Sequence, residues 1–179
     1  MFIDLLRSRR MVRKFEDRPV EREALDLLVE AALRAPSSKN STPWEFVVVT
    51  DRDRLEKLSV AKPHGAAFVK GAGAVFVVCA DPGTSDVWVE DASIAATLLH
   101  LTAFDLGLGS CWVQLRGREH APGRSSSDYV AELLGLREGL EVDCLVAVGH
   151  PAESKEGHPA SSLQHDKVSF ERYGRSERV

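Results

Sequence analysis

The chain has 179 residues, 44% of them hydrophobic and 28% charged, with a formal net charge of -4. That is enough apolar content for one core and too little length for two, so a single domain spanning 1–179 is expected. The acidic balance excludes the global basic field that drives nonspecific nucleic-acid binding. No apolar run approaches the ~20 residues needed to span a bilayer, and MFIDLLRSRR carries charge where a signal peptide needs its apolar stretch. A cytoplasmic protein with neither membrane nor nucleic acid as partner is the expectation.

A short N-terminal helix is expected to precede the basic run at 9–14. At 22–35, Ala24, Leu25, Leu28, Ala31, Ala32 and Ala35 recur on one face at helical spacing. PSSKNSTP (36–43) concentrates proline, serine and asparagine and predicts a loop, with the strand EFVVVT (45–50) directly after it. Residues 53–61 have helical character, a loop follows around Pro63, His64 and Gly65, and AVFVVCA (74–80) reads as a buried strand. The stretch 89–106 is apolar nearly all round, as in a central or subunit-interface helix. Next come the strand SCWVQ, a polar loop, a helix from about 128 to 134, and the strand VDCLVAVG ending at Gly149. Such alternation favours helical layers over a mixed sheet. From Pro151 onward the chain is too polar for a core of its own, yet Leu163, Val168, Phe170 and Tyr173 look like anchors for a tail crossing another surface. Cys79, Cys111 and Cys144 sit apart in apolar stretches and read as buried, reduced thiols.

The sharpest chemical feature is the run RRMVRKF at 9–15. Guanidiniums recognise phosphate through paired hydrogen bonds, and several converging on one dianion offset its charge. On charge alone, a solvated basic turn is the simpler reading. Order decides between them: RRMVRKF, AALRAPSSKNSTPWEFVVV, DASIAATLLHLTAFDLGLGSCWV and VAVGHPAE with the closing KVSFERYGR follow one another across nearly the whole chain. In this succession the sequence resembles the FMN-dependent nitroreductases. It departs from their pattern at Met11, where serine is usual, at Thr42 in place of glutamine, and at Gln114-Leu115 in place of paired glycines.

The resemblance implies an α+β fold: three α/β/α layers, a mixed, largely antiparallel central sheet, and a C-terminal tail extending onto the partner subunit of a homodimer. It implies FMN as cofactor, with Arg9 and Arg10 on its phosphate, position 11 beside them without the usual hydroxyl, and Arg13 at the flavin pyrimidine edge. Charge collects near N1 and the C2 oxygen on reduction, so a fixed guanidinium there would raise the potential; alternatively, Arg13 pairs with a carboxylate of its own subunit. Pro36, Ser37, Ser38 and Asn40 would reach the flavin of the other subunit, and the Gln114 amide would meet N5. Lys167 would add a cation at the phosphate, or lie in solvent. His64 could approach the ring, though an exposed loop histidine is the simpler assignment, and Trp44, Trp88 and Trp112 read as core or interface aromatics. Gly107-Leu108-Gly109 fails as a dinucleotide fingerprint, because it follows a helix and precedes a strand. No H-E-x-x-H, spaced Cys/His set or G-x-S-x-G occurs, so neither metal nor nucleophile elbow is expected.

The expected activity is ping-pong transfer of hydride from NADH or NADPH through flavin N5 to a small-molecule acceptor such as a nitroaromatic or quinone, without a side-chain acid or base. The rivals are a flavin-fragmenting or dehalogenating relative, a non-catalytic flavin-binding protein, and an interaction module whose basic run binds anionic partners.

Overall fold

In the computed structural model, which describes residues 1–175, four strands make the central sheet in the order β1-β2-β6-β3: β1 (Trp44–Val49), β2 (Ala74–Ala80), β6 (Glu141–Gly149) and β3 (Gly109–Gln114). A small hairpin of β4 (Glu119–Ala121) and β5 (Arg124–Ser125) stands apart. The helices are α1 (Phe2–Ser8), α2 (Arg22–Leu33), α3 (Arg52–Leu58), α4 (Trp88–Asp105) and α5 (Ser126–Leu134). The fold is α+β, as expected. Every pairing in the four-stranded sheet is antiparallel, however, so the expected mixed character is not found in the described subunit. The interleaved helices cover the sheet's faces without returning the chain parallel to its neighbour.

Period-two alternation sorts β2 between two layers. Val75, Val77 and Cys79 point to one side, where Leu55 and Leu58 of α3, Val130 of α5 and Val69 of a 3-10 turn pack with Val113 and Leu145. Ala74, Phe76, Val78 and Ala80 point to the other, against Leu28 and Ala32 of α2 and Ala92, Ala96, Leu99 and Ala103 of α4. With both faces covered, all of β2 is buried, which explains its uninterrupted apolar run. Alanines along α4 let its backbone approach the sheet closely. The three cysteines are free and buried, and burial pushes the Cys79 thiol up to about 12.

Local chemistry sets the helix ends. Asp51 caps α3 by accepting the Arg54 N–H at 3.0 Å, and Ser125 caps α5 by accepting that of Asp128 at 2.9 Å. The second cap starts α5 two residues before the expected 128. Gly135, with φ 67°, ends it in the left-handed conformation. Among the described residues, no helix is long and apolar enough to cross a membrane.

Where α4 hands over to β3, Gly109 meets Val12 so closely that an added Cβ would lie 2.7 Å from Val12 Cγ1 and 2.8 Å from its Cβ. Gly109→Ala should therefore cost about 1–3 kcal/mol in urea unfolding by overpacking. The cost should shrink in a Val12→Ala background, and equal costs in both backgrounds would show that this contact does not set it.

Candidate cofactor site

After α1 the chain runs extended, Arg9 having φ -60° and ψ 142°. Main-chain bonds hold it on two sides: Val12 N–H donates to the Ser110 carbonyl at 3.0 Å, Glu16 N–H to that of His150 at 2.9 Å, and Ala152 N–H to that of Lys14 at 2.9 Å. Glu153 Oε1 accepts the N–H of Arg13 at 2.7 Å and of Lys14 at 3.3 Å. The Arg13 amide and then the Lys155 ammonium hold the Glu153 carboxyl down at about 2.

Extended backbone sends successive side chains to opposite sides. Arg9 and Met11 line a cavity of about 270 Å³ with His100, Leu101 and Trp112. Arg10 and Val12 line another, of about 860 Å³, bounded by Phe104 and residues 151–157. There Arg10 Nη1 donates to the Glu156 carbonyl at 2.6 Å. The two arginines expected to share one phosphate thus serve different cavities within the subunit.

The Arg13 guanidinium lies 5.9 Å from the Phe68 ring centroid. Its alternative pairing with a carboxylate of its own subunit is not observed among the described residues, since Glu153 takes the backbone amide instead. Arg18, Arg22, Arg34, Arg52, Arg124 and Arg137 all have carboxylate partners. The arginines at 9, 10 and 13 have none among the described residues, so this strip keeps its positive charge.

The Val12–Ser110 bond marks the edge of β3 that faces away from β6. In an antiparallel pair, N–H and C=O groups of alternate residues point the same way, so Ser110, Trp112 and Gln114 present theirs to this edge. The Gln114 carbonyl accepts from Lys62 Nζ at 2.9 Å, and its N–H emerges beside it. The Gln114 side chain is folded back, accepting from Trp112 Nε1 at 3.0 Å and donating to the Arg116 carbonyl at 3.1 Å. Burial and then the nearby Arg118 lower the Lys62 pKa. His64, with Lys62, Arg118 and Glu119, lines a neighbouring cavity and is itself exposed.

His100, on the buried face of α4, joins Arg9 to β3. Its Nε2 lies 3.3 Å from Arg9 Nη1 and its Nδ1 2.5 Å from Ser110 Oγ. Burial first, then the Arg9 charge, lowers the imidazole to about 4.

The loop of Pro36, Ser37, Ser38 and Asn40 is anchored at the other end of α4. Ser38 N–H donates to Asp91 Oδ1 at 2.8 Å, Ser85 holds Asp91 Oδ2 at 2.9 Å, and Ser37 Oγ accepts the Thr42 N–H at 2.8 Å. Lys39, Asn40 and Thr42 take positive φ of 52°, 54° and 45°, a conformation L residues rarely adopt. From Asp91 to His100, nine residues of helix span about 14 Å at 1.5 Å per residue, so one subunit keeps loop and arginine strip apart. Lys167 is exposed in a short 3-10 turn, with no hydrogen bond or ion pair to the strip. Among the described residues, the tail cation that does reach the strip is Lys155, donating to the Met11 carbonyl at 3.0 Å and to Glu153 at 2.9 Å. Sequence reading missed Lys155, Lys62, His100, Ser110 and Asp91; the one signal open to it was polarity at 91 and 100 in helical register with the apolar positions of α4.

A sequence profile described as the nitroreductase family matches residues 6–64 and 53–150. The chain belongs to the nitroreductase family. An FMN-dependent nitroreductase from Clostridium difficile R20291 superposes on it with a TM-score of 0.94 and 41% identity, covering 96% of this chain and 99% of that one. The NADH dehydrogenase of Thermus thermophilus is 32% identical over 200 residues, covering 90% of this chain and 91% of the relative. The NADPH:FMN oxidoreductase from Vibrio harveyi, solved in complex with NAD+, superposes with a TM-score of 0.78 and 26% identity, covering 96% of this chain and 77% of that one. This member of the nitroreductase family therefore has the expected α+β nitroreductase fold and is an oxidoreductase.

Protonation offers a check on the buried network. Unfolded, His100 titrates near the ordinary 6.5; folded, it resists protonation down to about 4. Between these values the unfolded chain binds more protons, so this contribution to stability is complete above about pH 6.5 and is lost as pH falls towards 4. In urea unfolding across that window, His100→Gln, which cannot titrate, should lose less stability than wild type. Parallel losses would remove His100 from the acid response.

Proposed function

We propose that this nitroreductase-family oxidoreductase uses FMN and NAD(P)H to reduce small organic acceptors, such as nitroaromatics or quinones, by a ping-pong scheme. It acts as a cytoplasmic homodimer in which each chain, 1–179, is one FMN-binding unit. The observation carrying this reading is the strip in which Arg9 and Arg13, both without carboxylate partners among the described residues, lie along a sheet edge that ends at the Gln114 amide. Four residue steps of extended chain set the arginines roughly 13 Å apart at 3.3 Å per residue, which suits a ribityl phosphate and the near edge of its ring.

Bound FMN would supply the hydride and electron chemistry between nicotinamide and acceptor. Arg9 holds the phosphate. Arg13 would set its charge beside N1 and the C2 oxygen and the Gln114 N–H would meet N5, on a peptide that Lys62 fixes through its carbonyl. Arg10, engaged on the Glu156 carbonyl, secures the tail, and Met11 lines the pocket without the family's usual hydroxyl. Pro36, Ser37, Ser38 and Asn40 serve the cofactor of the other subunit, and the tail bearing Lys167 lies across that subunit. Half-exposed Ile94, Leu98 and Leu101 on the outer side of α4 suit the subunit interface. No side chain is needed as acid or base.

The purified protein should be yellow, or turn so with added FMN, and should oxidise NAD(P)H; a protein colourless even with FMN would refute the proposal. Sedimentation should show a dimer, and a stable monomer that retains FMN would remove the shared-site arrangement. Arg9→Ala should weaken FMN binding by about 1.5–3 kcal/mol, as a lost charged hydrogen bond does, and Arg10→Ala by less. Met11→Ser should strengthen it.

Arg13→Ala separates binding from chemistry. Its charge interacts most strongly with the reduced cofactor, so the potential should fall by tens of millivolts while oxidised FMN is held almost as well; ~30 mV corresponds to ~1.4 kcal/mol for a two-electron couple. A variant with unchanged potential that releases oxidised FMN would move Arg13 to the phosphate.

A further inference from the structure

We propose that His100 and Ser110 are positioning residues for the cofactor phosphate: the buried imidazole aims the Arg9 guanidinium, and the serine fixes which ring nitrogen receives it. The inference rests on the assignment of Arg9 to the FMN phosphate and adds to it how that charge is held.

The proton assignments follow from chemistry. A guanidinium has only donors, so His100 Nε2, 3.3 Å from Arg9 Nη1, must be the acceptor. The proton of the neutral ring is then on Nδ1 and is donated to Ser110 Oγ at 2.5 Å. The serine hydrogen is left for the His100 main-chain carbonyl, 3.5 Å away. Both ring nitrogens and the serine hydroxyl then have partners, and donation runs from Arg9 through His100 to Ser110 and back to the main chain of α4. Burial and the Arg9 charge both disfavour protonation, so the ring keeps this role at neutral pH.

A neutral acceptor is what an anion site requires here. A carboxylate at position 100 would hold Arg9 equally well, but it would cancel the charge and repel the phosphate. The imidazole occupies one of the five guanidinium N–H donors and leaves the charge and the remaining donors for the ligand. Leu6, Met11, Leu101 and Trp112 line the same cavity as Arg9 and give it apolar walls on which the arginine stem can lie. With serine absent at position 11, alignment of Arg9 carries more of the phosphate recognition.

The test compares FMN with riboflavin, the same flavin without phosphate, by titrating full-length apoprotein. Arg9→Ala should weaken FMN about tenfold or more and leave riboflavin unchanged. His100→Phe, which fills the site without an acceptor, should weaken FMN about three- to tenfold and riboflavin by less than about twofold. His100→Gln, which keeps an acceptor, should stay within about twofold of wild type for both ligands, and Ser110→Ala should fall between. In an Arg9→Ala background, His100→Phe should have no further effect on the FMN-to-riboflavin ratio. If Arg9→Ala moves that ratio while neither His100→Phe nor Ser110→Ala does, the positioning role is wrong and the phosphate assignment stands. If His100→Phe weakens both ligands equally, its role is structural. If Arg9→Ala leaves the ratio alone, the phosphate assignment falls and this inference with it. Should His100→Phe fail to fold, Ser110→Ala and the double variant with Arg9→Ala decide.

Discussion

Main-chain hydrogen bonds on both flanks of residues 9–16 hold that segment straight, and the geometry of the site follows from them. On one flank Val12 joins the outer edge of β3; on the other, Lys14 and Glu16 join residues 150–152, with the Glu153 carboxylate gathering two further amides. Because these bonds engage backbone rather than side chains, they leave the arginines free while dictating which way each one faces. The close fit shows where the tail crosses α1: a Cβ on Gly157 would overlap the Arg7 carbonyl oxygen. Only glycine fits there, so the tail that supplies Lys155 and Glu153 passes against the start of the strip.

The central helix serves both halves of the proposed cofactor site. Near its start, Asp91 tethers the polar loop; further along, His100 steadies Arg9. Both are polar residues on the buried face of α4, and both have their hydrogen bonds satisfied. A shift of α4 would be felt at both places. In the proposed dimer those places belong to different cofactors, so the helix is the physical link between the two sites.

Helices and strands were readable from periodicity because tertiary contacts reinforce the local pattern. The alternation of β2 and the apolar face of α2 are both answered by packing partners. Sheet direction was not readable, since helices interleaved with strands suit parallel and antiparallel neighbours alike. The basic strip was visible as a cluster of charges, but its division into two faces depends on the extended conformation that β3 and the tail impose. Lys155 was hidden in a polar tail, and His100 was hidden because helical spacing makes it look like one more core position. Their contacts to the strip lie 144 and 91 residues away in sequence, beyond any local pattern.

A segment held this way has a phase as well as a sequence. Removing one residue between Arg9 and Arg13 would not simply shorten it. Every side chain beyond the deletion would exchange sides, turning the charge now at Arg13 toward the cavity that Arg10 occupies. Removing two would restore the sides and change only the reach. Relatives built on the same edge can therefore vary in residue type along this strip, as Met11 does here, far more freely than in the parity of its length.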